Sequence, residues 1–219
     1  MSIATATDYL NAIAYIPRGT TLRADGVQWG QYEQLLHDLS ETSRVRIFYD
    51  QGKMEIMSPL PTHEKPVQIL HTLITTLRDV LDIDIESLGS STLKEELTKK
   101  GAEPDDSFYV QNAAAVIGKD DLNLQHDPPP DIIIESDVTS SSLDRFAIYA
   151  SLGVSEIWRV FNRRVEIWHL NTLAYSEAEN SRAFPFLNVE ALNEFLTLGL
   201  TEGERKAAKK FREWVLENL

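Results

Sequence analysis

From Gln28 onward, Tyr32, Leu35, Leu36 and Leu39 recur at the three-and-four spacing of a short amphipathic helix, with Thr21 and Leu22 as an extended lead-in. The run VRIFYDQGKMEIMSP alternates apolar and polar positions on both sides of Asp50-Gln51-Gly52-Lys53, which predicts a hairpin ending at Pro59 and Pro61. Val67, Leu70, Leu73, Ile74, Leu77 and Leu81 then form a wide apolar stripe, so a mostly buried helix follows, with Thr62 as its cap and Glu64 in its first turn. Three β-rich stretches come next, IDIESLGSSTLKEEL, FYVQN and DIIIESDV, expected to be strands of one sheet. SSSLDRFAIYASLG predicts another helix, with Ser140, Ser141 and Ser142 offering caps and Gly153 a stop. A second hairpin, EIWRVF and RVEIWHL, turns at Asn162-Arg163, and the tail from Val189 is helical in two pieces. Helices interleaved with hairpins rather than a strict βαβ repeat predict an α/β or α+β fold, a central mixed sheet flanked by helices.

The chain has 219 residues, 42% of them apolar, enough for one sizeable core, and no repeat or linker divides it. A single domain over 1–219 is expected, with 1–20 as an N-terminal extension and 189–219 as C-terminal helices. Charge changes the functional picture: 34 acidic against 21 basic residues leave a net charge of −13, so any nucleic-acid role needs a local basic site. Cysteine is absent, which removes thiolate nucleophiles and cysteine-ligated metals. No run approaches the roughly 18 apolar residues of a membrane helix, and the first residues lack a basic region ahead of an apolar stretch, so the reading is a cytoplasmic protein with no membrane partner.

The remaining chemistry lies with carboxylates. Acids cluster at Glu103-Pro104-Asp105-Asp106, and again from Asp131 through Glu135 to Asp137. If these two strands pair antiparallel, Asp105 approaches Glu135 or Asp137 rather than Asp131. Asp131 and Glu135 lie about 13 Å apart along a strand, too far to share one ion, and a lone Asp after Pro is ordinarily a turn or cap residue. Crowded, desolvated carboxylates repel, and a divalent cation offsets that cost. Oxygen donors suit magnesium or manganese, with Glu64 as a third ligand. On the same argument, removing the charge of Glu135 should leave the fold intact or slightly more stable. His37, His63, His71, His126 and His169 have no metal-ligand spacing, and no GxSxG, GxxxxGK[ST] or GxGxxG motif is present. Ser140 to Ser142 are better caps than nucleophiles, and Trp158 and Trp168 are expected in the core.

At these residues the chain resembles the restriction-endonuclease-like family of unknown-function domains within the PD-(D/E)XK nuclease superfamily. The likeness runs from about Gly26 to Val215 and rests on THE at 62–64, GSSTL at 89–93, GAEPDDSFYV at 101–110, PPPDIIIESDVTSSSLDRFAIYASLGVSEIW at 128–158 and FREWV at 211–215. It implies a central mixed sheet flanked by helices, a magnesium-dependent phosphodiesterase site acting on DNA, and a homodimer. Asp105 would match the superfamily Asp, Glu135 its Asp/Glu, and Glu64 the helix acid of the metal shell.

One departure bears on activity: two residues after Glu135, where the motif has Lys, stands Asp137. That Lys orients or deprotonates water and stabilises developing negative charge, roles open to a cation from a neighbouring element. Arg145 and Lys94 are the candidates, Arg145 for charge stabilisation only, because a guanidinium does not release its proton. Two functions therefore stand: a Mg2+- or Mn2+-dependent endonuclease, and a noncatalytic binding or assembly module descended from the same fold.

Overall fold

The computed structural model describes residues 5–39, 45–119, 122–136 and 143–219. Helix α1 (Ala6–Ala14) occupies part of the N-terminal extension, capped by Thr5, whose hydroxyl accepts from Asp8 N while the Asp8 carboxylate accepts from Thr5 N. It packs on α2 (Trp29–Asp38). The lead-in is a true strand, β1 (Thr21–Asp25), added to the edge of the hairpin β2 (Arg46–Asp50) and β3 (Lys53–Met57). Gln51 (φ 48°) and Gly52 (φ 97°) make its two-residue turn. Helix α3 (Pro61–Leu81) begins with Pro61 at its first position, where the missing N–H costs nothing. The cap position is therefore Leu60, without a side-chain bond, and Thr62 lies inside the helix instead of capping it.

Beyond α3 the structure departs from the expected single sheet. The stretch 83–97 splits into β4 (Glu86–Ser87) and β5 (Leu93–Glu95), which belong to different sheets. The short β6 (Lys100–Ala102) joins β5 to β2, completing a five-stranded antiparallel sheet of order β1-β3-β2-β6-β5. A six-stranded mixed sheet, of order β11-β10-β9-β8-β7-β4, is built from β4, β7 (Asp106–Tyr109), β8 (Ile132–Ser136), β9 (Glu156–Phe161), β10 (Arg164–Asn171) and β11 (Ala174–Ala178). Its one parallel pair, β8 with β9, is joined through α5 (Arg145–Ser151), as parallel neighbours require. Asp144 caps α5 by accepting from Ala147 N at 3.1 Å; Ser140, Ser141 and Ser142 lie outside the described residues. A four-residue helix, α4 (Ala113–Val116), precedes β8, and the tail forms α6 (Val189–Glu202) and α7 (Glu204–Asn218), broken at Gly203.

Strand alternation sorts the side chains into layers. Ile47 and Tyr49 face α1 and α2, whereas Phe48 faces the second sheet. Ile133 and Ile157 meet Phe48, Met57 and Leu93 in a core shared by both sheets and α5. Ile132, Ile134 and Trp158 turn the other way, under α3, α6 and α7. Trp158 is fully buried and Trp168 packs at the margin of the shared core. Apolar burial on both faces of β8 explains its uninterrupted isoleucines. Among the described residues, no helix is long and apolar enough to cross a membrane.

Candidate active site

Pairing of β7 with β8 is antiparallel, with Asp106 opposite Ile134. One step further, Asp105 N donates to Ile134 O at 3.2 Å and Ser136 N donates to Asp105 Oδ2 at 2.8 Å, so Asp105 sits across from Glu135 where the shared core opens. Both side chains are nearly enclosed, at 10% and 4% exposure. Burial pushes the Asp105 carboxyl above its ordinary value; the Ser136 N–H and the guanidiniums of Arg46 and Arg145 pull it down, and the charge of Glu64 pushes it up again. Glu64, exposed in the first turn of α3, is thus within electrostatic reach of Asp105.

Glu135 is clothed by α5. Arg145 Nη1 donates to its Oε2 at 3.1 Å, and the Tyr149 hydroxyl donates to its Oε1. Residues four apart on one helix share a face, which is why α5 presents both donors to one strand acid. The Arg145 guanidinium lies 3.9 Å over the Phe48 ring and its Nη2 is 3.4 Å from the Met57 sulfur, so the first sheet holds the cation that the second sheet's acid binds. Tyr149 is fully buried, and its phenol is pushed far above its ordinary value, first by burial and then by Glu135, so it remains a neutral donor.

Two contributors were not foreseen. Arg46 of β2 brings its Nε to 3.7 Å from Asp105 Oδ1, a contact created by stacking one sheet on the other and carrying no local sequence signal. Tyr149 did have a signal, its four-residue spacing from Arg145. Lys94 is not brought to the acids: its neighbour Leu93 points into the shared core, so Lys94 turns to the opposite face and its ammonium pairs with Glu33 at 3.1 Å. It lines a cleft of about 460 Å³ with Glu33, His37, Thr92 and Lys119. Asp137 lies outside the described residues.

The other acids are structural. Asp131 accepts from Val110 N (2.7 Å), Asn112 N (3.0 Å) and Asn112 Nδ2 (2.8 Å), closing the turn after β7. Glu103 accepts from Ile47 N and Thr92 Oγ1, both at 2.8 Å, binding the sheet edge. Asp106 points to the far side of β7 and takes His71 Nδ1 at 2.7 Å.

Among the described residues, no group of three or more acidic or histidine side chains converges as a metal cluster. The donor set nonetheless fits a hard divalent cation, because magnesium is commonly held by one or two carboxylates with waters completing its shell. Asp105 Oδ1 accepts no hydrogen bond among the described residues, its contact with Arg46 Nε at 3.7 Å being an ion pair too long for one, so this oxygen keeps lone pairs for a further ligand.

Comparison with curated proteins yields no match. The crystal structure of a "putative nuclease belonging to DUF820" from Anabaena variabilis is similar over 78% of this chain and 99% of that one, at 12% identity and a TM-score of 0.49. The Uma2 family model, described as "Putative restriction endonuclease", matches residues 29–201, most of the chain, and the protein belongs to that family.

Proposed function

We propose that the protein is a metal-dependent nuclease that hydrolyses DNA phosphodiester bonds at the Asp105–Glu135 pair. The observation that carries this reading is the pair itself: two buried carboxylates on adjacent strands, one pushed toward protonation by burial, facing a buried guanidinium. Such an arrangement costs folding energy and is the kind of perturbed cluster that active sites retain. Asp105 and Glu135 would hold Mg2+ or Mn2+, and Glu64, which forms no three-acid cluster with them among the described residues, would act on the site through its charge. A bound cation would neutralise phosphoryl charge and lower the pKa of a water ligand.

What the chain's own groups do follows from their chemistry. Arg145 cannot act as a base, so its part is to stabilise charge developing on the phosphate oxygens, from a position fixed by Phe48 and Glu135. Tyr149 holds Glu135 in one orientation. Arg46 compensates Asp105 until substrate and ion arrive. The walls of the shared core exclude bulk water from one side, which strengthens each of these interactions.

A noncatalytic module of the same fold is the second reading, favoured by one fact: both Glu135 oxygens already accept hydrogen bonds, from Arg145 and Tyr149. Calorimetric titration with Mn2+ separates the two. Wild type should bind and Asp105→Ala should not, and a nicked-plasmid assay should show cleavage that requires the metal and Glu135. Absence of metal binding by the wild type would establish the noncatalytic reading.

A further inference from the structure

The chain's charge is distributed unevenly. Residues 204–212 hold five cations against one acid, a local charge of +4, leaving −17 on the remainder. All five cations, Arg205, Lys206, Lys209, Lys210 and Arg212, are exposed on α7, whose other face is anchored by buried Ala207, Phe211 and Val215. Two of them are neutralised locally: Lys206 pairs with Glu202, and Lys210 with Glu213 at 2.8 Å. Arg205, Lys209 and Arg212 have no ion pair or hydrogen bond among the described residues, although Lys209 lies within electrostatic reach of Glu213. At 100° per residue these three fall within about 60° of one another, on a stripe roughly 130° around the helix from the buried face.

Dimensions and charge indicate the occupant. Arg212 is seven positions after Arg205, about 10.5 Å of helix, close to the axial rise of three base-pair steps of DNA at roughly 3.4 Å each, the span of four successive phosphates on one strand. Helix α7 starts against α3, where the Thr72 hydroxyl donates to Glu204. Both helices pack on the Ile132, Ile134 and Trp158 face of the second sheet, whereas Glu135 is held with Phe48 and Tyr149 on the other face, so the stripe is a surface separate from the acid pair. A cationic stripe on an otherwise acidic protein is complementary to a polyphosphate, and the exposed Leu216 at its end is too small an apolar surface to hold a bilayer.

We propose that Arg205, Lys209 and Arg212 of α7 form the docking stripe for the phosphate backbone of duplex DNA. The partner rests on the nuclease reading, but the test is separable from it because binding is measured in EDTA, without cleavage.

The test is fluorescence anisotropy of a labelled 20-bp duplex titrated with the full-length protein between 50 and 200 mM salt. Three backbone contacts predict a slope of log K against log salt of at least about −2.7 for the wild type, equivalent to about 40-fold weaker binding across that range. The triple variant Arg205→Ala, Lys209→Ala, Arg212→Ala should lose that slope and bind at least tenfold more weakly at 50 mM, with unchanged circular dichroism. A control removing three exposed cations elsewhere, Lys53→Ala, Arg163→Ala, Arg164→Ala, should stay within twofold of the wild type. If the triple variant fails to fold, Arg205→Ala and Arg212→Ala singly should each remove about 0.9 of the slope. The inference falls if the wild type does not bind the duplex, if the α7 variant binds like the wild type, if the control loses as much, or if α7 instead binds phosphatidylserine vesicles. DNA binding through α7 without any metal-dependent cleavage would leave the docking stripe standing and remove the nuclease reading.

Discussion

Asp105 and Glu135 face each other across one strand pair, yet their surroundings make opposite demands. Asp105 is disfavoured as an anion, its carboxyl raised above 3.8 by burial, so it destabilises the fold increasingly as pH rises through the interval between 3.8 and its raised value. Asp105→Asn should therefore keep or raise the melting temperature at pH 7 while abolishing metal binding. Glu135 is the reverse case. Repulsion between crowded acids suggests that neutralising it is harmless, but its oxygens accept from Arg145 and Tyr149, and Glu135→Gln would remove the ion pair with a guanidinium of 10% exposure. The expected cost is about 1 to 3 kcal/mol, the usual range for weakening a buried charge-assisted hydrogen bond. Urea midpoints of the two variants should move in opposite directions; a shared direction would show that the pair is held by something other than these partners. Sequence patterning revealed the strand acids and their approach because antiparallel pairing follows from local alternation. Arg46 and the burial of Arg145 against Phe48 depend on how two sheets stack, which no local pattern encodes.

The elements that hold this site were legible in proportion to their length. Helix α3, both hairpins and the two-piece tail announce themselves by period and turn residues, whereas β6 has three residues and no alternation to read. Its composition is nonetheless dictated by a neighbour. A side chain at Gly101 would place its Cβ 2.1 Å from the hydroxyl and 2.8 Å from the ring carbon of Tyr32, which is fully buried on α2. Gly101→Ala must displace that ring, so it should cost about 1 to 3 kcal/mol by overpacking, read from denaturant midpoints, with Tyr32→Phe, Gly101→Ala partly restoring stability. On the far side of β7, α3 is tied by His71 to Asp106. The hydrogen bond His71 donates to Asp106 raises its pKa above 6.5, with Glu204 of α7 adding to the rise and burial and Arg78 opposing it. A raised histidine contributes its stability fully below 6.5 and loses it as pH rises through the folded value. The stability difference between wild type and His71→Gln should accordingly be largest at pH 5.5 and smaller at pH 8.5. An equal difference at both pH values would mean that the ring contributes by packing on Phe108 alone.

In the whole molecule, the two sheets meet only because one core fills the space between them. Phe48, Met57, Leu93 and Ala102 come from the first sheet, and Ile133, Ile148, Tyr149 and Ile157 from the second sheet and α5, all of them buried. Arg145 crosses the same boundary with its charge, stacked on Phe48 and bound to Glu135. Burial shared in this way cannot be lost from one side alone, since separating the sheets exposes apolar surface on both at about 25 cal/mol per Å². We therefore propose a single cooperative domain, and its tryptophans can test that. Trp29, on α2 beside the first sheet, meets Tyr32 at a tilt and Tyr49 edge-on, while Trp214, on α7, packs against Phe211 and Phe195. Variants retaining only Trp29 or only Trp214 should report the same urea midpoint and the same slope. Weakening the boundary is the sharper form of the experiment. Arg145→Ala removes the crossing cation and its stacking, so it should lower both midpoints together by the same amount. If the Trp29 signal instead moves ahead of the Trp214 signal, the first sheet unfolds on its own, and the acid pair would be a site assembled between two independently stable units.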